Sequence, residues 1–250
     1  MIKTILCGAC GKMGRFVAGC ALGDSQLQIV AGVDRFCSTA DFPLFASFDE
    51  ITVDADVIID FSNVSLLDDL LTFAVKHSKP LVIATTGYSD AQIEKIRDAA
   101  KKIPIFFTFN MSLGINLLCA LSRQAAAVLG RDFDIEIVEK HHNQKIDAPS
   151  GTAIMLANAI NSEFDDGLNY EYDRHSKRQK RTKNEIGIHS VRGGTIVGDH
   201  EVIFAGHDET ITLSHSAASK EVFASSAIKA AKFIAEKPAG LYDMDSLIHG

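Results

Sequence analysis

Ile2-Lys3-Thr4-Ile5-Leu6-Cys7-Gly8-Ala9-Cys10-Gly11-Lys12-Met13-Gly14-Arg15-Phe16-Val17 is the stretch whose reading decides the fold. An apolar run of strand length enters three glycines spaced G-x-x-G-x-x-G, and an amphipathic stretch from Lys12 to Leu22 follows. In the order strand, turn, helix, such glycines present backbone N–H groups to a pyrophosphate at a helix N-terminus, where the helix dipole adds partial positive charge. The glycine pattern alone is a weak signal, because Cys10 stands where a standard dinucleotide fingerprint has its middle glycine. The context makes it a strong one. About twenty residues on, where that fingerprint carries its acidic residue, the next apolar run ends in Gly32-Val33-Asp34-Arg35. A carboxylate there suits the ribose hydroxyls of NAD, and an arginine beside it suits the 2′-phosphate of NADP. The pair predicts that NADH and NADPH are both accepted.

Working outward, apolar runs at Val57 to Ile59, Leu81 to Ala84 and Ile103 to Phe107 alternate with helical stretches at Ser65 to Lys76 and Ala91 to Lys101. Continuous Val/Ile/Leu/Phe runs of this length are those of parallel strands buried on both faces. Ser89-Asp-Ala-Gln92 reads as a capping box. After Asn110 the texture changes. An Ala/Leu-rich helix over Gly114 to Leu129 precedes an alternating strand at Asp134 to Lys140, and strands at Thr195 to Ala205 and Thr210 to His215 flank a hairpin loop at Gly206 to Glu209. An apolar helix from Ser219 to Ala235 closes the chain. The fold class expected is α/β: a Rossmann-type doubly wound parallel sheet formed by residues 1–109 plus 218–250, with an inserted α+β substrate-binding and oligomerisation domain at 110–217.

Composition narrows the function. A 46% hydrophobic and 23% charged chain of 250 residues folds and buries a core. No apolar run approaches the length of about 18 residues that a transmembrane helix needs, and Met1 runs straight into a strand, so no membrane span and no secretory signal is expected. Five cysteines, an odd number, suit reduced thiols and a cytoplasmic location. Cys7-Gly-Ala-Cys10 matches C-x-x-C, but its span is already the phosphate turn, so redox chemistry is disfavoured. A net charge of −7 argues against a surface built for nucleic acid or anionic membrane. Arg174, Lys177, Arg178, Lys180, Arg181 and Lys183 form a local basic segment, read first as a solvated loop and second as an anion contact.

The densest polar constellation is Glu139-Lys-His141-His142-Asn-Gln-Lys145-Ile-Asp147-Ala-Pro149-Ser150-Gly151-Thr152. Pro149 and Ser150 are helix-entry residues, so the backbone N–H groups of Gly151 and Thr152 would meet a carboxylate. Two histidines and a lysine just upstream add titratable donors and a cation, a set suited to binding a di-acid and delivering a proton. A zinc site using His189, His200, His207 or His215 lacks short ligand spacing, and no metal is expected.

These residues resemble the bacterial 4-hydroxy-tetrahydrodipicolinate reductase (dihydrodipicolinate reductase) family. The resemblance spans the chain through the Gly8 to Gly14 turn, Asp60-Phe-Ser62, Ala84-Thr-Thr-Gly87, Phe109-Asn-Met-Ser-Leu-Gly114-x-Asn116, the Glu139 to Thr152 block and Ser190-Val-Arg-Gly-Gly194-x-x-x-Gly198-x-His200. It implies catalytic roles for His141 and Lys145, and substrate binding by His142, Lys145, Gly151 and Thr152. It implies cofactor contacts at Gly8, Ala9, Cys10, Gly11, Lys12, Met13, Asp34, Arg35, Ala84, Thr85, Thr86, Thr108, Phe109, Asn110 and Met111. It further implies NADH or NADPH as cofactor, a small cyclic imine dicarboxylate as substrate, a place in diaminopimelate and lysine biosynthesis, and a homotetramer. Ala84, where the family commonly has glycine, and Cys10, which replaces a small residue, depart from its pattern. The rival readings are another Rossmann reductase, such as an aspartate or homoserine dehydrogenase relative, and an NAD(P)-sensing regulator that contacts nucleic acid through Arg174 to Lys183.

Overall fold

The computed structural model describes residues 1–36 and 39–249. Chain order gives β1 (Ile2–Cys7), α1 (Lys12–Leu22), β2 (Leu27–Val33), β3 (Leu44–Phe45), β4 (Val57–Asp60), α2 (Leu67–Lys76), β5 (Leu81–Ile83), α3 (Asp90–Ala100) and β6 (Pro104–Phe107). It continues through α4 (Leu113–Leu129), β7 (Asp134–His141), α5 (Gly151–Asn161), β8 (Asn169–Glu171), β9 (Glu185–Arg192), β10 (Gly198–Ala205) and β11 (Thr210–Ala217). It closes with α6 (Glu221–Ile234), β12 (Gly240–Tyr242) and α7 (Met244–His249). Two compact units result: Met1–Leu113 with Lys220–Gly250, and Gly114–Ser219.

The first unit is a seven-stranded sheet in the order β12-β6-β5-β4-β1-β2-β3, with every pairing parallel. Strand alternation sends neighbouring residues to opposite faces. Ile5, Ile58, Leu81 and Ile105 meet α2 and α3, while Leu6, Ile59, Val82 and Phe106 meet α1 and α6. Chain order reverses between β1 and β4, the kind of switch point beside which α/β sheets open a crevice at their strand C-termini. β12, three residues beside β6, is too short to carry a strand signal and went unread in the sequence.

The second unit is a mixed five-stranded sheet, β11-β10-β7-β9-β8. β10 pairs antiparallel with β7 and β11, and β9 pairs parallel with β7 and β8. Ile115, Leu118 and Ala126 of α4 and Leu156 and Ile160 of α5 pack on Ile135, Ile137, Ile186, Val202 and Phe204. Four of the six cations of the basic segment pair with carboxylates of this unit: Arg174 with Glu185, Lys177 with Glu171, Arg181 with Asp134 and Glu136, and Lys183 with Asp134.

Two expectations need correction. Leu113–Asp132 is long and apolar enough, by length and composition, to cross a membrane. Asn116, Ser122, Arg123 and Gln124 interrupt the apolar run in sequence, so the expectation of no candidate span missed it. One face of this helix lies in the core of the second unit, and Arg123 pairs with Glu163 at 3.0 Å. Cys10 is disulfide-bonded, against the expectation of reduced thiols throughout, whereas Cys7, Cys20 and Cys119 are free and Cys37 lies outside the described residues.

Packing at Gly14 yields a test of the turn. A Cβ there would lie 2.1 Å from the Gly8 carbonyl oxygen and 2.6 Å from that of Ala9, both backbone atoms. Gly14→Ala is expected to cost about 1–3 kcal/mol and to lower the thermal midpoint by about 3–10 °C. Gly19→Ala in the same helix, where a Cβ meets nothing within 4 Å, should hold or raise it by the glycine-to-alanine helix difference of about 1 kcal/mol at most. Equal midpoints for the two variants in a calorimetric scan would contradict the close approach.

Candidate functional site

In the first unit the candidate residues lie along the C-terminal edge of the sheet. Gly8 leaves β1 with φ +71°, and a Cβ on it would sit 2.4 Å from the Phe61 carbonyl oxygen, so only glycine fits. Gly11 is the N-cap of α1 and no side chain caps that helix start, an arrangement that suits an anion. Asp34, just past β2, accepts hydrogen bonds from the Cys10 N–H at one carboxylate oxygen and from the Phe36 N–H at the other, each 3.0 Å. A cleft of about 920 Å³ is lined by Gly8, Gly11, Asp34, Arg35, Ser62 and Lys76 among others. Glycines a Cβ would jam, an uncapped helix start and a carboxylate at the end of β2 fit a dinucleotide.

Ala84, Thr85 and Thr86 follow β5, and Thr108, Phe109, Asn110 and Met111 follow β6. None of these lines the cleft around Asp34. The Ala84 N–H donates to the Asp60 carbonyl at 2.9 Å, which ties the turn after β5 to the end of β4. The Asp60 side chain is fully buried and accepts from the Ser62 N–H at 3.1 Å and its hydroxyl at 2.5 Å. Burial pushes its carboxyl up, against the hydrogen bonds from Ser62 and the nearby hydroxyls of Thr85 and Tyr88. After β6, the Thr108 hydroxyl donates to the Asn110 carbonyl and Asn110 Oδ1 accepts from the Ser112 N–H. Burial drives the Cys7 thiol well above its ordinary range, which removes it from redox chemistry.

In the second unit the polar constellation gathers at the ends of β7 and β9 and the start of α5. Along β7 the buried positions are Ile135, Ile137, Glu139 and His141: two core isoleucines, then a carboxylate and an imidazole on the same face. Glu139, with no accessible surface, accepts from His141 Nδ1 at 2.6 Å, the Ser150 N–H at 3.1 Å, and Arg192 Nη1 and Nη2 at 2.8 Å each. Burial pushes its carboxyl up, but hydrogen bonds from Arg192, Ser190 and His141, together with the Arg192 charge, outweigh that and hold it down at about 2. Parallel pairing sets Arg192 opposite His141, and antiparallel pairing sets His200 opposite Glu139. Arg192 also donates to the Asp147 carbonyl at 2.5 Å, anchoring the loop before α5. Ser150 caps α5, its hydroxyl accepting from the Ala153 N–H at 3.2 Å and lying 3.0 Å from His200 Nε2.

Of the sequence-expected residues, His141 is buried, His142 and Lys145 are half-buried on the following loop, and Gly151 and Thr152 open α5. Lys145 pairs with Asp147 at 2.9 Å. A Cβ on Gly151 would meet nothing within 4 Å, so open space faces the helix start. Sequence reasoning placed Ser150 at the helix entry and weighed His200 only for zinc, and it assigned no role to Glu139 or Arg192. The available signal was β7 itself, whose alternation puts Glu139 and His141 on the core face.

Burial and the neighbouring His141 push the His200 imidazole down to about 4 although Glu139 opposes this, so it is neutral at pH 7. Between an ordinary imidazole pKa of about 6.5 and about 4, the unfolded chain binds a proton that the folded chain refuses. Stability is therefore full above that window and falls as pH drops through it, by at most about 1.4 kcal/mol per pH unit. In denaturant titrations from about pH 7 to about pH 4.5, the parent should lose about 2 kcal/mol more than His200→Gln. Equal losses would show that His200 is protonated in the folded state.

Comparison with known proteins gives this geometry a family. Residues 2–111 match the family model for the dihydrodipicolinate reductase N-terminus, and residues 114–248 match that for its C-terminus. The chain is 52% identical over 248 residues to the 4-hydroxy-tetrahydrodipicolinate reductase of Caldanaerobacter subterraneus, covering 99% of this chain and 98% of that one. It is 48% identical over 250 residues to the enzyme of the same name from Clostridium tetani, covering 100% and 98%. Among solved structures it resembles a dipicolinate-bound dihydrodipicolinate reductase from Paenisporosarcina, with a TM-score of 0.82, 25% identity and 97% of each chain covered. An amine dehydrogenase from Mycobacterium smegmatis, TM-score 0.65 at 12% identity over 98% and 95% of the chains, shares the fold alone. With both halves matched and close relatives aligned end to end, the chain belongs to the dihydrodipicolinate reductase family.

Proposed function

We propose that the chain reduces 4-hydroxy-tetrahydrodipicolinate to tetrahydrodipicolinate with NADH or NADPH in diaminopimelate and lysine biosynthesis, as a cytoplasmic homotetramer. The observation that carries the reading is the second unit's pairing of an open helix start at Gly151 with His141 and Lys145 on the strand end and loop just before it. A planar dicarboxylate needs an anion clamp, and reduction of its ring needs a proton donor beside it. An aspartate or homoserine dehydrogenase relative gives no reason for this block. A nucleic-acid regulator is disfavoured because most cations of the basic segment are paired within their own unit.

Gly8 to Met13, Asp34 and Arg35 would hold the dinucleotide, with Ala84, Thr85 and Thr86 and the segment Thr108 to Met111 receiving its nicotinamide end. The bound cofactor supplies the hydride. Lys145, His142 and the backbone at Gly151 and Thr152 hold the substrate carboxylates. The ring loses its hydroxyl as water, gains one hydride and takes one proton from His141. Imidazole is the side chain suited to give and regain a proton, and a lysine ammonium suits the clamp. Asp147 already holds the Lys145 ammonium in the loop.

Three variants divide these roles. His141→Gln should lower kcat by about 10²–10⁴-fold with NADH affinity unchanged, whereas Lys145→Ala should damage kcat and raise the substrate KM. Gly151→Ala should leave the melting midpoint unchanged or higher, since its Cβ meets open space, yet raise KM. Steady-state kinetics of NADH loss check all three, and an unaltered KM in Gly151→Ala would move the carboxylate elsewhere.

The second cofactor claim rests on Arg35, exposed beside Asp34 at the cleft. Arg35→Ala should weaken NADPH binding selectively, by the roughly tenfold or more that a lost charge-assisted phosphate contact costs. Equal weakening of NADH and NADPH in fluorescence titrations would remove Arg35 from the phosphate site.

A further inference from the structure

We infer that Glu139 is the positioning residue of His141: it fixes which ring nitrogen carries the permanent proton and aims the other at the reaction. The inference rests on His141 being the proton donor. An ionised carboxylate only accepts hydrogen bonds, so the 2.6 Å contact requires the proton to sit on His141 Nδ1. Nε2 is then the nitrogen that gains and gives the catalytic proton. In each turnover the Nε2–H bond breaks as the substrate takes the proton, the Nδ1–H bond stays intact against Glu139, and Nε2 is reprotonated from solvent. Glu139 changes neither protonation state nor place.

Three further features support the assignment. Arg192 takes both oxygens of Glu139 in a two-pronged ion pair at 2.8 Å, which keeps the carboxylate charged and stops it rotating away from His141. The Ser150 N–H fills another acceptor position, so the same carboxylate sets His141 and the start of α5 in one frame. Gly198 lies beside the far edge of the ring, where an added Cβ would come within 3.1 Å of Nε2, so the absent side chain leaves room for that nitrogen. The His200 ring packs edge-on to His141 with centroids 5.2 Å apart, closing another side. A buried glutamate on a core register could serve only to neutralise Arg192. That alternative predicts no effect on the histidine.

The experiment is a double-variant cycle on the full-length enzyme with NADH. Glu139→Gln keeps the shape and an oxygen for the Ser150 N–H but offers Nδ1 an amide in place of a charged acceptor. It should lower kcat by about 10–100-fold, leaving substrate KM and NADH affinity within about twofold, about 0.4 kcal/mol. Because Glu139 acts through His141, the double variant Glu139→Gln/His141→Gln should be no slower than His141→Gln alone. Multiplying losses in the double variant, or a normal kcat in Glu139→Gln while His141→Gln is impaired, overturns the inference. A normal kcat in His141→Gln overturns instead the reading it rests on. Nitrogen-15 NMR of histidine-labelled parent protein, with the His141 signals identified by their loss in His141→Gln, keeps the test independent of how Glu139→Gln folds. Neutral His141 should carry its hydrogen on Nδ1 with Nε2 bare, and the opposite tautomer contradicts the inference.

Discussion

The second unit is organised around one carboxylate without solvent access. A glutamate has about four acceptor positions, and Glu139 uses its own for His141, the Ser150 backbone, both arms of Arg192 and Ser190. Such a charge is tolerated inside a protein only when its partners are complete, since stripping one from a buried pair typically costs about 3–5 kcal/mol. Completeness here is also a geometric statement. The partners come from β7, from β9 and from the first residue before α5, so the group that settles the charge also ties the His141 ring to the start of α5. Arg192 extends the tie to the loop through the Asp147 carbonyl. Acid pH should loosen this centre in two stages. His200 stops resisting protonation at about 4, and Glu139 holds out to about 2.

The first unit obeys a different constraint, one of backbone clearance. Gly8 and Gly14 leave no room for a Cβ because the end of β1, the turn and the start of α1 press on one another and on Phe61. That closeness leaves the helix start open to the cleft, and Asp34 braces it by accepting the Cys10 N–H. The glycine turn of the first unit is thus shaped by the path of the main chain. The polar centre of the second unit is shaped by side-chain charge.

Legibility in the sequence follows the same division. The parallel sheet was readable because strands buried on both faces are continuous apolar runs, as in Val57 to Ile59 and Leu81 to Ile83, and because the glycine turn is local. His141, Lys145, Gly151 and Thr152 were readable because they lie in one short stretch. The Arg192 partnership was not, since His141 and Arg192 become neighbours only through a parallel pairing of β7 with β9, strands joined by a long excursion through α5 and β8. His200 was hidden for the same reason: its antiparallel register against Glu139 is set by sheet order, which no local spacing encodes. Weighing His200 only with His189, His207 and His215, as a zinc set that lacks short spacing, missed that it meets His141 as a ring neighbour. The membrane-length apolar helix was missed because polar residues spaced along it mask a window that is apolar on average.

The central claim is that a permanently ionised Glu139 holds His141 facing the anion clamp, so that substrate charge and proton charge arrive together. The most direct measurement is calorimetric titration of the NADH-loaded enzyme with dipicolinate, a planar dicarboxylate, near neutral pH in buffers of different ionisation enthalpy. The slope of observed enthalpy against buffer enthalpy counts protons exchanged on binding. With the titration repeated at pH values from about 6 to about 9, a range that brackets an ordinary imidazole, the account predicts proton uptake in the parent that exceeds that in His141→Gln over part of the range. Binding of undiminished affinity with the same proton exchange in parent and variant throughout that range would mean that His141 does not face the bound dianion, and would contradict the account.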